Sequence, residues 1–316
     1  MLFWEGAGMQ DGYFKAAWGD ITGQPGWFGR ICLLALVLLI PVFGTVVVLG
    51  YLFGWARDIA WGVRTPLPWR VFGNEDGRLY SRGFFALVIA FVCSLVPWAV
   101  NFVWVAVTGI SAVTVGSVVG LHWGGALGGV LSLVFGAVFL VVSVIVVLLC
   151  WVGTMRMSVY GTLSAGFQLG KIWAMVRRDP RGLLKIFGMA ILLSVAATVI
   201  MCVLFFVAVF VAFLGVSALA ALGPAIDRTN AFLAVLLIGV FASLFMGGLL
   251  VVTLAVSTLV VFGYAMVVRA LGYWTQQFDV PAWRGQDDPM PFELGGSAAW
   301  RAPGQPGRPE GNGGAR

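Results

Sequence analysis

Of the chain's 316 residues, 10% are charged and 60% apolar, where a soluble domain carries about a quarter and just under half. Such a chain cannot cover itself with polar surface, which excludes a soluble globular domain and leaves an integral membrane protein. The net charge of +6 does not point to nucleic acid, because the cations sit in short segments between apolar runs, as in membrane loops retained on the cytoplasmic side.

Taken in chain order, Phe14, Ala17, Trp18 and Ile21 fall at i, i+3, i+4 and i+7, one stripe of a helix. Glu5, Asp11 and Asp20 precede the first apolar run, which is too long for a signal-peptide core, so a retained N-terminus is expected. The stretch "WGDITGQPGWFGR", residues 18 to 30, ends on Arg30 just before that run. Between Arg30 and Arg57 lie 26 uncharged residues. A single helix of that length would be about 39 Å long, enough to cross a bilayer. Pro41 and Gly44 divide it into halves too short to cross alone, so it is either one kinked span or a re-entrant hairpin covered by other helices.

The loop "RDIAWGVRTPLPWRVFGNEDGRLYSR" follows, with five arginines, three acids and Trp61 and Trp69 placed as interface anchors. No charge then occurs from Gly83 to Met155. This run predicts a span over about 83–107 kinked at Pro97, an outer connector over 108–129 holding the single histidine, His122, and a second span over about 130–154. The Gly-x-x-x-Gly spacings of "GGALGG" at 124 to 129 suit either close helix contact or a flexible turn. A basic segment from Arg156 to Lys185 comes next.

Within it, "WAMVRRDPRGLLK" repeats the earlier pattern 155 residues on. Trp173 answers Trp18, Pro180 answers Pro25, Lys185 answers Arg30, and the stripe Leu169, Ile172, Trp173, Val176 answers the first one. Lys171, Arg177 and Arg178 flank it, as in a helix lying among lipid headgroups. Asp179 and Pro180 should cap and start the next helix. Two further spans are expected, about 186–214 and an unusually long 232–266, joined by an outer loop whose charges are Asp227 and Arg228. From 276 to 316 the chain is polar and, at its end, Pro/Gly-rich, the composition of a largely disordered tail. The basic loops hold five and six Lys/Arg against none and one in the outer loops, so both basic loops and the C-terminus are expected in the cytoplasm.

The fold class expected is therefore all-α: a polytopic membrane bundle of residues 1–275 with four full spans, an N-terminal hairpin or kinked span (31–56, broken at Pro41), two interfacial amphipathic helices and pseudo-duplicated halves. The run "LLIPVFGTVVVLGYLFGWARDIAWGVRTPLPWRVFG", with "DGRLYSRGFFALVI", "MRMSVYGTLSAGFQLGKIWAMVRRDPRGLLK" and "VVFGYAMVVRALGYW", resembles a prokaryotic integral membrane family catalogued as domain of unknown function 4013. The resemblance covers about residues 10 to 275. More distantly, the chain is similar to membrane domains associated with glycerophosphodiester phosphodiesterases, an analogy that favours the hairpin and with it a cytoplasmic N-terminus. One departure is that Arg70 stands where the family usually has acids, which here are delayed to Glu75 and Asp76.

The chemistry is sparse. The interiors of the expected spans hold no ionisable residue, which argues against a proton-coupled pump or a charge-ringed channel. Asn101, Ser94, Ser143, Ser194 and Thr198 read as groups that join helices. Cys32, Cys93, Cys150 and Cys202 read as small apolar side chains, and His122 as a loop histidine. No catalytic, cofactor or metal residue is expected. Arg177, Arg178, Arg181 and Lys185, with Arg156, are the candidates for contact with anionic lipid headgroups. The function expected is a non-enzymatic scaffold or accessory protein of the cell membrane with lipid partners; the alternative is a small-solute or lipid transporter without intramembrane charge.

Overall fold

The structure is a computed structural model that describes residues 12–72, 77–119, 121–222 and 231–293. Among these residues the regular structure is helical: α1 (Tyr13–Thr22), α2 (Trp27–Leu38), α3 (Phe43–Ala60), α4 (Leu79–Val119), α5 (Leu121–Tyr160), α6 (Leu169–Arg178), α7 (Pro180–Leu222) and α8 (Ala231–Gln276). Five of them (α3, α4, α5, α7 and α8) contain segments long and apolar enough to cross a membrane. The polytopic helical bundle expected from the sequence is what the chain forms.

The first apolar run does not cross as one rod. Its helices break at 39–42, where Val42 takes φ 60° and ψ −60° and the Phe43 N–H bonds the Pro41 carbonyl at 2.6 Å, a γ-turn. Gly44 then sits so close to the Val37 carbonyl that a Cβ could not fit. The two helices run in opposite directions. Cys32 of α2 meets Thr258 of α8 and Trp27 meets Phe262, so α2 is antiparallel to α8. Phe53 meets Tyr264 and Trp55 meets Arg269, so α3 is parallel to it. Both ends of the pair reach the same loop: Arg30 at the start of α2 bonds the Leu67 carbonyl at 2.6 Å, and Tyr51 of α3 bonds that of Pro68 at 2.6 Å. This is a hairpin. Leu38 lies six residues beyond Cys32, about 9 Å, so the hairpin tip falls near the middle of α8, roughly 30 Å short of that helix's far end.

The second helix of the hairpin is set apart from the other membrane-length helices by its burial. The membrane-length window of α3 is 61% buried inside the protein, whereas those of α4, α5, α7 and α8 are 17%, 6%, 0% and 0% buried. Protein covers most of α3, but the turn itself is exposed at Leu39, Ile40, Val42 and Phe43, and its backbone is satisfied locally: the N–H groups of Leu39, Ile40, Phe43 and Gly44 bond the carbonyls of Leu36, Val37, Pro41 and Ile40. Where α4 crosses α3, Gly83 faces the Val46 carbonyl too closely for any side chain.

The long helices exceed the sequence expectation. α4 runs to Val119 and α5 starts at Leu121, so the described backbone of the expected 108–129 connector is helical. Uncharged and free of proline, that segment lacks the strongest helix breaker, and in apolar surroundings backbone groups stay bonded internally. The helix α4 continues through Pro97. α7 and α8 likewise outrun 186–214 and 232–266. The loop acids Glu75 and Asp76, the Asp227–Arg228 loop and the His122 side chain lie outside the described residues.

The molecule thus has a base and two projecting hairpins, α4–α5 and α7–α8. Buried apolar residues come from α1–α3, the loop after α3, the base ends of the long helices and residues 278–290. α4 packs on α5 and α7 on α8, and the two hairpins meet where α5 contacts α8 and where Trp151 of α5 faces Phe187 of α7. Residues 277–293, grouped with the tail on composition, fold back onto the base as a strap, with Phe278, Val280 and Met290 buried. The remaining tail, 294–316, lies outside the described residues.

Candidate functional site

Polar chemistry concentrates at the base. Arg269 is wholly buried, and its guanidinium donates from Nε to Asp20 Oδ2 at 2.8 Å, from Nη1 to the Trp55 carbonyl at 2.8 Å and from Nη2 to the Thr65 carbonyl at 3.1 Å. Tyr273 donates to the same Asp20 oxygen at 2.7 Å, and the Trp55 ring lies 4.0 Å from the guanidinium carbon. One side chain therefore joins α8 to α1, to α3 and to the loop after α3. This also explains why α8 does not stop at 266: a satisfied arginine is no barrier to a buried helix.

Arg156, also wholly buried, plays the corresponding part for the strap. It donates to Gln168 Oε1 at 2.7 Å, to the Gln286 carbonyl at 3.3 Å and to the Ala165 carbonyl at 3.4 Å, with the Tyr160 and Trp283 rings over its charge. It is a structural clamp and is not available to lipid, which corrects its place among the headgroup candidates. Outside the clamp, Lys171 pairs with Glu293 at 3.0 Å. Burial pushes the Glu293 carboxyl up, but the Met290 backbone N–H and the Lys171 ammonium outweigh it and hold the group below its ordinary value.

The repeated Trp-to-Pro pattern forms two joints. α1 and α6 occupy equivalent positions, their bounds 156 residues apart, each leading into the next helix, and α1 and α2 are bent by 94°. Ala17 and Ile21 are buried in one copy, Ile172 and Met175 in the other, while Phe14, Trp18, Leu169 and Trp173 are exposed. The expected stripe is thus split between the protein and an outward apolar edge. In the second copy Asp179 caps α7, accepting from the Gly182 N–H at 3.0 Å, as the sequence suggests.

Arg177, Arg178, Arg181 and Lys185 are all exposed at this joint, and none makes a hydrogen bond or ion pair with another described residue. Next to them, α5 and α7 leave a groove of about 400 Å³ whose walls include Trp151, Phe187, Ile191, Ser194, Val195 and Thr198. A second cleft, about 660 Å³, opens beside the α3–α4 contact and is lined by Tyr51, Arg57, Asp58, Trp69, Arg70 and Arg82. Arg57 pairs with Asp58 at 3.6 Å, and Arg82 reaches the Gly50 carbonyl at 3.5 Å.

Two of the hydroxyls expected to join helices bond their own helices instead, Ser94 to the Phe91 carbonyl and Thr198 to that of Ser194, while the Ser143 hydroxyl is buried without a protein partner among the described residues. Asn101 is exposed on α4. Cys93 of α4 and Cys150 of α5 lie beside each other at the α4–α5 contact, a proximity that spacing in sequence did not reveal; all four cysteines are free. Among the described residues no three His, Cys, Asp or Glu side chains converge as a metal site would need.

Five apolar membrane-length helices on a base tied by buried arginines define a multi-pass helical membrane protein. The chain belongs to the family described as protein of unknown function (DUF4013), which matches residues 33–209, more than half its length. That stretch runs from the hairpin to the middle of α7 and bears out the narrower resemblance; the broader likeness to phosphodiesterase-associated domains gains no support from it. No curated protein and no solved structure matches the chain.

Proposed function

We propose that this protein is a non-enzymatic scaffold or accessory protein of the cell membrane, with its base, both joints and the strap at the cytoplasmic leaflet. The observation that carries the reading is the way the base spends its polar groups: Arg156 and Arg269 are consumed in holding segments of the chain together. The projecting hairpins add no charge, since none occurs from Gly83 to Met155, from Ile186 to Ile226 or from Thr229 to Val268. A coupled carrier uses ionisable groups at membrane depth, and a catalytic site needs a nucleophile or acid–base pair within bonding reach of each other. The cytoplasmic assignment follows the excess of Lys and Arg in the segments that build the base.

The alternative is a small-solute or lipid transporter, favoured by the duplicated joints and by the groove between α5 and α7. Reconstitution separates the two. Vesicles containing the protein and a fluorescent phospholipid are expected to lose only their outer-leaflet signal to an impermeant reductant, as protein-free vesicles do. Loss of the inner-leaflet signal as well would replace the accessory reading with lipid transport.

A further inference from the structure

We propose that the groove between α5 and α7 seats one acyl chain of an anionic phospholipid whose headgroup is held by Arg177, Arg178, Arg181 and Lys185. The seat rests on the reading that this joint lies at a leaflet surface, and it adds to that reading a defined ligand and a defined place.

The first argument is charge. Three cations at the base, Arg30, Arg156 and Arg269, are engaged by protein carbonyls, side-chain oxygens and rings. The four at the α6–α7 joint, within nine residues of sequence, have no such partners and are exposed. The one acid among them in sequence, Asp179, is taken up by the Gly182 N–H and the Gln277 amide, which leaves the like charges to repel one another until a further anion lies among them. Near a membrane each is attracted to anionic lipid by about 1 kcal/mol.

The second argument is continuity between that cluster and the groove. Arg181 and Lys185 occupy the first two turns of α7, and the groove begins two residues later at Phe187, about 3 Å further along the axis. It continues through Ile191, Ser194, Val195 and Thr198 to Val199, a length of about 18 Å. One leaflet of hydrocarbon is about 15 Å deep, half of the bilayer core. At 100° per residue Arg181 leaves α7 roughly a quarter turn from the face that lines the groove, within reach of its long side chain.

The third argument is the lining. Trp151, Phe187, Ile191 and Val195 present carbon, and the Thr198 hydroxyl is already bonded to the Ser194 carbonyl. A polar solute would leave its hydrogen-bonding groups unsatisfied there. An acyl chain would not, and Ile191, Val195 and Val199 are exposed at the mouth, open to the side from which lipid arrives.

The test uses the full chain in nanodiscs of equal phosphatidylglycerol and phosphatidylcholine, released into native mass spectrometry. One phosphatidylglycerol should be retained in preference to phosphatidylcholine. Replacing a single cation by Gln should lower that preference about fivefold, which corresponds to about 1 kcal/mol. The combined variant R177Q/R178Q/R181Q/K185Q should abolish it, whereas R70Q, at an exposed arginine outside the groove, should leave it unchanged. Ser194→Trp, which fills the groove and keeps every cation, should lose the retained lipid while its thermal midpoint holds. Retention by the Ser194→Trp variant would overturn the acyl seat in favour of diffuse surface attraction. Preference surviving in the combined variant would overturn the headgroup assignment. Equal retention of both lipids by the unaltered chain would sink the seat and leave the accessory reading standing, since that reading fails separately on the vesicle measurement.

Discussion

The helices α3 and α7 are both long and apolar enough to cross a membrane, α7 by a wide margin (mean hydropathy 3.1 against 1.2), and they live in different solvents. α3 is 61% buried in protein over its membrane-length window and α7 is 0% buried. The difference lies in what each surface is made of. Gly50 of α3 and Gly83 of α4 lie against each other's helix backbone, and the Trp55 and Tyr51 side chains end on carbonyls of the following loop. α7 presents Phe205, Phe206 and Phe210 to its surroundings. In lipid, apolar surface gains little by packing on more apolar surface, so association falls to close backbone contact and polar bonds. The base has both, and the projecting hairpins have few of either.

This contrast can be broken most severely at Arg269. Arg269→Ala removes the charge partner of the Asp20 carboxylate, leaving it the Tyr273 hydroxyl, and takes one donor from each of two carbonyls; removing one partner of a buried ion pair costs about 3–5 kcal/mol. The thermal midpoint of the detergent-solubilised protein should fall accordingly, and a change within error would remove Arg269 as the tie of the base. Arg156→Met should act more locally. Hydrogen bonds to a charged group are worth about 1.5–3 kcal/mol, so residues 277–293 should exchange amide hydrogen faster and become open to protease while α3 stays protected.

A third measurement sets the two regions side by side. Gly83→Leu forces α4 off α3 and should cost about 1–3 kcal/mol by overpacking. Gly239→Leu, on the projecting part of α8 with nothing near its Cα, should cost close to nothing. Equal effects would mean that the distinction between base and hairpins is false. The smallest effect expected is at the strap's edge. Because the Glu293 value is held down in the folded chain, its contribution is present above the unfolded carboxylate value of about 4.3 and is lost as pH falls through the lower folded value. Protection of the strap should weaken only in that acid range, and Glu293→Gln should remove the dependence.

Much of the architecture was legible in the sequence, because hydropathy and proline placement report directly on what a bilayer tolerates. The break at Pro41, the order of the spans, Asp179 as a cap and the paired joints all follow from local pattern. What escaped is long-range. Arg269 and Asp20 stand 249 residues apart, and no periodicity links them. The same holds for Arg156 with the strap and for Cys93 with Cys150, whose proximity depends on how α4 and α5 are turned toward each other. Composition alone made residues 277–293 part of the tail, since a polar segment fixed by bonds to a distant arginine reads like one fixed by nothing. The cation cluster at the second joint was visible from spacing, but the groove beside it required α5.

The account rests on the first apolar run turning back, so that both joints and the loop after α3 share one side. With the four native cysteines replaced, single cysteines at Gly19 on α1, Val63 after α3 and Gly170 on α6 can be challenged with a membrane-impermeant thiol reagent in intact cells and in inverted vesicles. All three should be labelled from the same side, the inverted-vesicle side. Labelling of Gly19→Cys from the face opposite to Val63→Cys would mean that the run crosses the membrane, and would contradict the hairpin and the base built on it.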